Sequence, residues 1–315
     1  MLHLGVLERE SVTEATRQDY ANKLEQFKRS ARLRDLNIPP DILDAKLVKF
    51  FGQGFLAGDS YTHGEKVWAA VRFYVPSFAS HGHLHLPRSA RSLKGWRKLC
   101  PTKTRRPLPW DIAAAVAWNL LLTSTGMCIA WLLMLDTYMR PGECLELTCE
   151  QVLPPTHRWP MLKAAILLHP DQRAVASKTG ELNESLVVSR AWLSAALMEV
   201  IAARRRRAQL WDFSMVQFRT AFLLAAREVG IEKWKPCLYM ARHTGASLDR
   251  LEDRLPLAEV QRRGRWKSEK SVRRYEKRAL VQEVYTSLTP QQQASAKRRA
   301  DQLESALLRA IRSSR

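Results

Sequence analysis

Apolar residues in the first hundred positions recur at the three- and four-residue spacing of buried helix faces. Ser11 and Glu14 have the spacing of a capping box, which predicts a helix start. Asp41 is expected to cap a second helix and Pro76 to end a third, and a weaker fourth helix is predicted around Trp96. The pattern indicates a small N-terminal bundle of helices.

The pattern changes in the second half of the chain, where short apolar runs of strand length lie between helical segments. Helices are predicted at about 111–122, 126–138, 190–207, 214–228, 239–250, 256–264 and 290–311. Strand-like runs occupy 164–168, 174–176 and 186–188. The predicted fold class is mainly α with α+β character, with an N-terminal helical bundle and a mostly helical second domain that carries a small antiparallel β-sheet.

The segment from Cys100 to Trp110 contains three prolines and three basic residues. This composition is typical of a stiff, extended linker, so a domain boundary is placed here. The expected division is a helical domain with its linker over 1–105, a second domain over 106–280, and a basic amphipathic tail helix over 281–315. The apolar face of the tail helix consists of Leu303, Leu307, Leu308 and Ile311.

The stretch from Ile112 to Leu135 has no charged residue and is long enough to cross a bilayer. Asn119 and the run Thr123–Gly126 interrupt it with polar residues. Two shorter buried helices joined by a turn are therefore favoured over a transmembrane segment. No membrane association is expected.

The net charge of the chain indicates which class of binding partner to expect. The 315 residues include 51 Lys and Arg against 31 Asp and Glu, which gives a net charge of +20. Residues 261–315 alone hold 15 basic and 5 acidic side chains, half of this net charge. An excess of this size, concentrated in one region, makes a polyanion, and above all nucleic acid, the first partner to expect.

Five cysteines lie at irregular spacing, and no Cys-x-x-Cys pair occurs. This argues against a secreted disulfide scaffold and a structural zinc site, and it favours a reducing, intracellular compartment. His81, His83 and His85 alternate and could hold a metal from one strand face, but a polar loop before Pro87 is favoured. Neither a metal nor a cofactor is predicted.

Four separate segments contain the residues of a candidate reaction site. They supply Arg140 with Glu143, Lys178 in a predicted hairpin turn, Arg242 with His243, and Trp266 followed nine residues later by Tyr275. A tyrosine hydroxyl can attack a phosphodiester and conserve the bond energy as a phosphotyrosine. Guanidinium groups match the non-bridging oxygens, and a lysine in a hairpin can protonate the departing 5′ oxygen. These residue types favour phosphoryl transfer through a covalent intermediate.

Together the segments resemble the tyrosine recombinase family of the phage-integrase type, which includes Cre. The family pattern is an Arg with an acid three residues on, a hairpin Lys, His-x-x-Arg, then His or Trp, and a Tyr nine residues later. The matching residues are Arg140 with Glu143, Lys178, Arg242, Trp266 and Tyr275. The match covers residues 105–280, and the N-terminal region is similar to the family's core-binding domain in length, helicity and basicity.

The resemblance implies a site-specific recombinase or integrase that cuts and rejoins double-stranded DNA through a 3′-phosphotyrosyl link on Tyr275. It also implies a homo-tetramer on paired DNA sites, no small-molecule cofactor, and an origin in a mobile element. The protein would be intracellular and DNA-associated, in the nucleus of a eukaryote or the cytoplasm and nucleoid of a prokaryote. The tail helix would dock into a neighbouring protomer.

Tyr239 stands where the family usually has the histidine of His-x-x-Arg. A phenol, whose ordinary pKa is about 10, can donate a hydrogen bond but is a poor general base at neutral pH. His243 could take over the proton, the base could be dispensable, or the enzyme could be slow or decayed.

Three other functions stay open from the sequence. A catalytically decayed DNA-binding protein would keep the fold, a type IB topoisomerase would use similar residues as a monomer, and a metal-dependent integrase would use a carboxylate triad. Several candidate side chains also have an ordinary structural interpretation. Arg140 could cap a helix, Arg242 could pair with Asp249, Lys178 could be an exposed hairpin lysine, and Trp266 and Tyr275 could be packing residues.

Overall fold

The proline-rich linker marks the division of the chain into two units, Met1–Thr104 and Arg105–Arg315. The structure, a computed structural model, describes residues 4–101, 105–158, 163–170, 182–276 and 278–313. Fifteen α-helices and three β-strands lie in these ranges. The fold is mainly helical with one small antiparallel sheet, which confirms the predicted fold class.

The N-terminal unit consists of helices around one apolar core. They are α1 (Val6–Glu10), α2 (Glu14–Ala31), α3 (Pro40–Leu56), α4 (Tyr61–Tyr74) and α5 (Pro87–Leu99). α2 packs on α4 and α3 packs on α5, and these helices bury Phe27 and Trp96 in one cluster. Asp44, buried on α3, accepts hydrogen bonds from the backbone nitrogens of Arg88 and Ser89 at 2.9 and 2.7 Å and so caps α5.

Two predicted helix caps, Ser11 and Asp41, are each two residues from the observed caps Thr13 and Pro39. Ser11 ends α1, where its hydroxyl donates to the carbonyl of Glu8, and Thr13 caps α2 by accepting a backbone N–H from its first turn. Asp41 does not cap α3, because Pro40 begins that helix one residue earlier and has no N–H that needs a partner. The apolar pattern locates helix faces better than helix ends.

The second unit is built around α7, whose neighbours cover it on several sides. Its helices are α6 (Trp110–Thr123), α7 (Thr125–Thr137), α8 (Pro141–Leu145), α9 (Ala191–Ala202), α10 (Met215–Val229), α11 (Met240–Leu251), α12 (Leu257–Arg263), α13 (Glu269–Val272), α14 (Arg278–Thr286) and α15 (Pro290–Ser313). Every residue of α7 from Met127 to Thr137 is buried, because α6, α9 and α11 all pack on it. α7 is therefore the central helix of this unit.

Ser124 separates α6 from α7 within the charge-free stretch. Its hydroxyl accepts a hydrogen bond from the backbone nitrogen of Met127 at 3.3 Å and caps α7. Trp131 on α7 donates its indole N–H to the carbonyl of Ala113 on α6 at 3.0 Å, so the two helices pack against each other. No helix in the described ranges is both long and apolar enough to span a membrane.

The strands β1 (Val152–Leu153), β2 (Ala165–Leu168) and β3 (Glu184–Val187) form an antiparallel sheet in the order β1-β2-β3. Ile166 pairs with Val152 on one side and with Leu186 on the other, and all three side chains are buried. The apolar runs at 164–168 and 186–188 thus overlap β2 and β3, whereas the predicted run at 174–176 lies outside the described residues.

The apolar face of α15 is buried within its own unit. Leu303, Leu307 and Ile311 belong to the main core, where α15 packs on α6 and α9. Arg299 Nη1 also donates to Asn119 Oδ1 on α6 at 3.1 Å. The expectation that this face docks into a neighbouring protomer is wrong for these side chains, because the charge-free α6 supplies their apolar partner within the chain.

Candidate active site

Arg140 enters the site just after the buried helix α7. That helix ends at Thr137, and Tyr138 takes a left-handed backbone conformation, with φ of +54°, that turns the chain. The backbone nitrogen of Arg140 donates to Glu143 Oε2 at 2.8 Å, and its guanidinium donates to Glu143 Oε1. The acid three residues on therefore holds both the main chain and the side chain of Arg140, while 22% of that side chain stays exposed.

Arg242 approaches from α11, which packs directly on α7. A Cβ at Gly245 would lie 1.9 Å from the carbonyl oxygen of Leu135, so glycine is needed for this close approach. Arg242 is 1% exposed, and its terminal nitrogens donate to the backbone carbonyls of Tyr138, at 2.5 Å, and of Gly264. Its Nε has no hydrogen-bond partner among the described residues. The guanidinium thus joins the turn after α7 to the loop after α12.

Arg242 keeps its charge at neutral pH although it is buried. Burial lowers its pKa to about 10, and the nearby positive charges of Arg265 and Arg140 act in the same direction. Asp249, the partner that a purely structural role would predict, instead accepts a hydrogen bond from the Tyr138 hydroxyl. A guanidinium has five N–H donors, so N–H groups remain on Nη1, Nη2 and Nε after the bonds to these two carbonyls.

Trp266, Tyr275 and His243 form a packed aromatic row. The Tyr275 ring centroid lies 4.8 Å from that of Trp266 and 5.0 Å from that of His243. The Arg242 guanidinium carbon lies 4.5 Å from the indole centroid, a cation–π contact. A Cβ at Gly264 would lie 1.7 Å from the indole, so glycine lets the tryptophan fold back over the chain. Tyr275, in a short 3-10 turn after α13, is only 4% exposed.

Tyr239 precedes α11 and contacts His243, with ring centroids 5.4 Å apart. The guanidinium carbon of Arg105, from the end of the linker, lies 5.0 Å from the centroid of the same phenol ring. Tyr239 is half-buried, whereas His243 is buried and contacts Tyr275 directly. An imidazole therefore lies against the candidate nucleophile, although the usual histidine of His-x-x-Arg is replaced by tyrosine.

Arg265 is a site residue that sequence reasoning missed. Its Nη1 and Nη2 donate to the two oxygens of Glu143 at 3.1 and 2.6 Å, and Nη1 also donates to Glu184 on β3 at 2.8 Å. Burial disfavours the charged form of Glu143, but hydrogen bonds from Arg265 and Arg140 outweigh it and hold the pKa of this carboxyl below its ordinary value. The sequence signal for Arg265 is weak, since it is only an arginine beside Trp266.

A second cluster that the sequence did not predict links the same loops by hydrogen bonds and ion pairs. Asp136, buried near the end of α7, accepts from the backbone nitrogen of Ser189 at 2.5 Å and from Arg190 Nη1 at 2.9 Å. Arg263 Nε donates to the Asp136 carbonyl at 3.0 Å, and Arg263 Nη2 reaches the last carbonyl of β3 at 3.1 Å. The ends of β3 and α12 are thereby tied to the end of α7, which leads into Arg140.

The charges of the described side chains at this site do not cancel. Three guanidinium groups, those of Arg140, Arg242 and Arg265, lie close to the two carboxylates of Glu143 and Glu184. Within this network of five side chains the positive charges outnumber the negative ones by one, and Arg190 and Arg263, which share Asp136, add a further positive charge at the adjoining loops. The arrangement is therefore suited to bind an anion such as a DNA phosphate.

The structure brings most of the sequence-predicted site residues together. Lys178 lies outside the described residues, so the candidate general acid is not placed. In the part of the chain that the structure describes, no group of three or more His, Cys, Asp or Glu side chains could hold a metal, including the set around His83. The residues that share one site are Arg140, Glu143, Arg242, His243, Trp266 and Tyr275, with Tyr239 against His243.

No protein-family model and no curated protein matches the sequence. Among solved structures, the chain is similar to XerH site-specific recombinase bound to palindromic difH substrate in a post-cleavage complex. The sequence identity is 15%, the match covers 84% of this chain and 78% of that chain, and the TM-score is 0.59. A lambda integrase dimer bound to a COC′ core site is similar with 16% identity, coverage of 87% and 93%, and a TM-score of 0.56.

The chain has the fold of the tyrosine recombinases. A pre-cleavage complex of XerH with difH agrees, with 14% identity, coverage of 85% of this chain and 77% of that chain, and a TM-score of 0.52. At identities this low the likeness concerns the fold. The predicted resemblance to tyrosine recombinases is confirmed at that level.

Proposed function

We propose that the protein is a tyrosine recombinase that cuts and rejoins double-stranded DNA through a 3′-phosphotyrosyl intermediate on Tyr275. The observation that carries this proposal is the contact chain from Tyr275 to Trp266 and from Trp266 to Arg242. Two of the four candidate segments, Arg242 with His243 and Trp266 with Tyr275, meet there with the order and spacing of the family, inside the fold of the recombinases.

In the proposed reaction, Tyr275 Oη attacks the phosphorus of a DNA phosphodiester, a P–O bond to the tyrosine forms, and the P–O5′ bond breaks. Arg140 and Arg242 bind the non-bridging oxygens, where negative charge grows. His243, which contacts the Tyr275 ring, accepts the phenolic proton, and Lys178 gives a proton to the departing 5′ oxygen. A 5′ hydroxyl of a second strand then gives its proton to Lys178 and attacks the phosphotyrosine, the P–O bond to Tyr275 breaks, and the tyrosine takes back the proton held by His243.

Glu143, Trp266 and Tyr239 support this reaction without forming bonds to the phosphorus. Glu143 holds Arg140, the indole N–H of Trp266 donates a hydrogen bond to the phosphate, and the Tyr239 hydroxyl is a further donor next to His243. Cleavage requires no metal and no small-molecule cofactor in this scheme, because the guanidinium groups neutralise the charge.

The partner in this proposal is double-stranded DNA, and the working form is a homo-tetramer on two paired sites. The net charge of +20 and the excess of positive over negative side chains at the site support a polyanion as partner. The XerH and lambda integrase structures to which the chain is similar contain DNA substrates. An intracellular, DNA-associated location and an origin in a mobile element belong to the same proposal, as do the division into a core-binding domain over 1–105 and a catalytic domain over 106–280.

A second candidate is a DNA-binding protein of the same fold that does not cut. The replacement at Tyr239 and the burial of Tyr275 favour it, because the usual proton acceptor is missing and the hydroxyl-bearing side chain is covered. A nicked suicide substrate separates the two functions, since cleavage releases a short fragment and traps the covalent complex. We expect an SDS-resistant adduct from the wild-type protein in excess chelator.

Tyr275→Phe removes the nucleophile but no positive charge, so it should bind DNA normally and form no adduct. Tyr285→Phe is the matched control, because Tyr285 packs against the main core and should leave the adduct unchanged. An adduct that persists in Tyr275→Phe contradicts the assignment. If the wild type binds the substrate tightly but forms no adduct, the non-cutting protein is favoured. If it forms adducts and relaxes supercoiled DNA but does not join two sites, a topoisomerase is favoured.

A further inference from the structure

Arg265 has a backbone conformation that disfavours a side chain. Its φ of +55° lies in the left-handed region, which glycine adopts without steric cost and most other residues avoid. The side chain is nevertheless held by two ion pairs and is only 9% exposed. A non-glycine residue at this place therefore needs compensating interactions, and these indicate what the arginine does.

The compensating interactions are two ion pairs that reach across the site. Arg265 holds both oxygens of Glu143 in a forked pair at 3.1 and 2.6 Å, and it holds Glu184 at 2.8 Å with the same Nη1. The Glu143 side chain is 7% exposed and that of Glu184 is 13% exposed, so both pairs are sheltered from water. Such forked, charge-assisted hydrogen bonds fix geometry as well as charge.

Glu143 is the residue through which Arg265 acts on the reaction. Each Glu143 oxygen is shared, since Oε1 also accepts from the Arg140 guanidinium and Oε2 from the Arg140 backbone nitrogen. Because Arg265 orients both oxygens, the Glu143 carboxylate cannot rotate to form a second hydrogen bond with the Arg140 guanidinium. The remaining N–H groups of Arg140, whose side chain is 22% exposed, stay available for a phosphate.

We propose that Arg265 is a positioning residue that orients Arg140 through Glu143 and couples this arginine to strand β3 through Glu184. This inference rests on the proposed function, because it assigns the anion held by Arg140 as the DNA phosphate. Arg265 itself touches neither the phosphorus nor Tyr275 in this scheme. It sets the distance and direction from which Arg140 approaches.

The chain offers a matched control next to the same loop. Arg262 on α12 carries the same charge, but it is exposed and its guanidinium pairs with Glu259 on its own helix. Arg262→Ala therefore removes one positive charge from the same region without touching the Glu143 network. Arg265→Gly removes the guanidinium and also suits the left-handed backbone, so any loss it causes comes from the side chain.

The first measurement is the rate of adduct formation at saturating DNA, together with the DNA dissociation constant, for the full chain. We expect Arg265→Gly to slow adduct formation by about 10- to 100-fold, because misplacing a positioned group by about 1 Å can cost up to about 100-fold in rate. Its dissociation constant should match that of Arg262→Ala, and added methylguanidinium should restore part of the rate. Arg265→Lys should be intermediate, since an ammonium cannot form the fork. A rate for Arg265→Gly equal to that of Arg262→Ala overturns the proposal.

The second measurement needs no cleavage and so separates this inference from the proposed function. Inorganic phosphate at rising concentration should raise the unfolding temperature of wild type and Arg262→Ala, and should raise that of Arg265→Gly less. Equal phosphate responses overturn the positioning role, whereas a wild type that responds to phosphate but forms no adduct overturns only the proposed function. If Arg265→Gly does not fold, Glu184→Gln replaces it in both measurements, and a wild-type rate with a wild-type phosphate response then overturns the proposal.

Discussion

The guanidinium of Arg105 lies over the ring of Tyr239, with its carbon 5.0 Å from the ring centroid. The residue that departs from the family pattern thus contacts a cation that comes from the end of the linker. An imidazole in the usual place would itself carry a proton for part of the time, because its ordinary pKa is about 6.5. Here a phenol contacts both a permanent cation and the His243 ring.

Changing Tyr239 to histidine should keep or raise the rate of adduct formation. A histidine can accept a proton at neutral pH and a phenol cannot readily do so. The rate stays the same if His243 already accepts the Tyr275 proton efficiently, and it rises by up to about 10²- to 10⁴-fold if His243 does not. The measurement is single-turnover cleavage of the suicide substrate. Tyr239→Phe is the control, since it keeps the ring under Arg105 and removes only the hydroxyl. A Tyr239→His protein much slower than wild type would mean that the phenol is a required part of this site.

DNA binding should depend strongly on salt. The exposed face of α5 carries Arg88, Arg91, Lys94 and Lys98 and no acidic residue. Each phosphate contact should steepen the slope of log affinity against log salt by about 0.9. Lys94→Gln and Lys98→Gln should each flatten the slope by about that amount, whereas Lys66→Gln, which breaks the pair with Asp19, should change it little. If the DNA affinity of the wild type does not change with salt concentration, nucleic acid is not the partner.

The stabilisation that Glu143 provides should disappear in acid. Its pKa is held below the ordinary glutamate value by Arg265 and Arg140, with Arg242 and Glu184 as the other charged groups near this network. When the pKa of a carboxyl is lower in the folded than in the unfolded protein, the ionised carboxyl stabilises the fold. This stabilisation is complete above the unfolded-state pKa of about 4.3, and it is lost as the pH falls through the folded-state pKa. The difference in unfolding free energy between wild type and Glu143→Gln should therefore be constant from neutral pH to about 5 and shrink below about 4.

Urea unfolding at several pH values measures this difference. Glu232→Gln serves as the control, because Glu232 pairs with Arg227 at the exposed surface and should show almost no effect at any pH. If the difference in unfolding free energy between wild type and Glu143→Gln grows on acidification, folding favours the protonated form of the Glu143 carboxyl, and this prediction is wrong.

The tail helix should behave as part of the core. Leu307 is fully buried against α6, so Leu307→Ala should lower the unfolding free energy by about 2–5 kcal/mol. Leu308 is half-buried on the same helix, and Leu308→Ala should cost clearly less. Binding to one DNA site and assembly on two sites should weaken together in Leu307→Ala. A selective loss of assembly would restore a role for this face between protomers.

The sequence predicted those site residues that stand in local patterns. Arg140 with Glu143, Arg242 with His243, and Trp266 with Tyr275 each belong to a short motif, and the chain order of the motifs was enough to expect them in one site. Arg265 could not be found in this way. Its role depends on a left-handed residue in a loop and on two acids that lie 122 and 81 positions away.

In the fold, too, features set by neighbouring residues were predicted, whereas contacts between distant segments were not. The break of the charge-free stretch at Ser124 follows from local chemistry and was predicted. The partner of the leucine face of α15 was not, because an amphipathic pattern states that a face is buried without stating what buries it. Helix ends also shifted, as at Ser11 and Asp41, since several nearby residues compete to cap one helix.

The burial of Tyr275 bears on fidelity in the proposed reaction. The ring of Tyr275 contacts an indole and an imidazole, and with 4% of the residue exposed it offers little surface to a phosphodiester in this arrangement. The protein could therefore search along a chromosome without nicking it. Exposing the tyrosine would consume part of the binding free energy of the correct site, and a weaker site would be occupied but left intact.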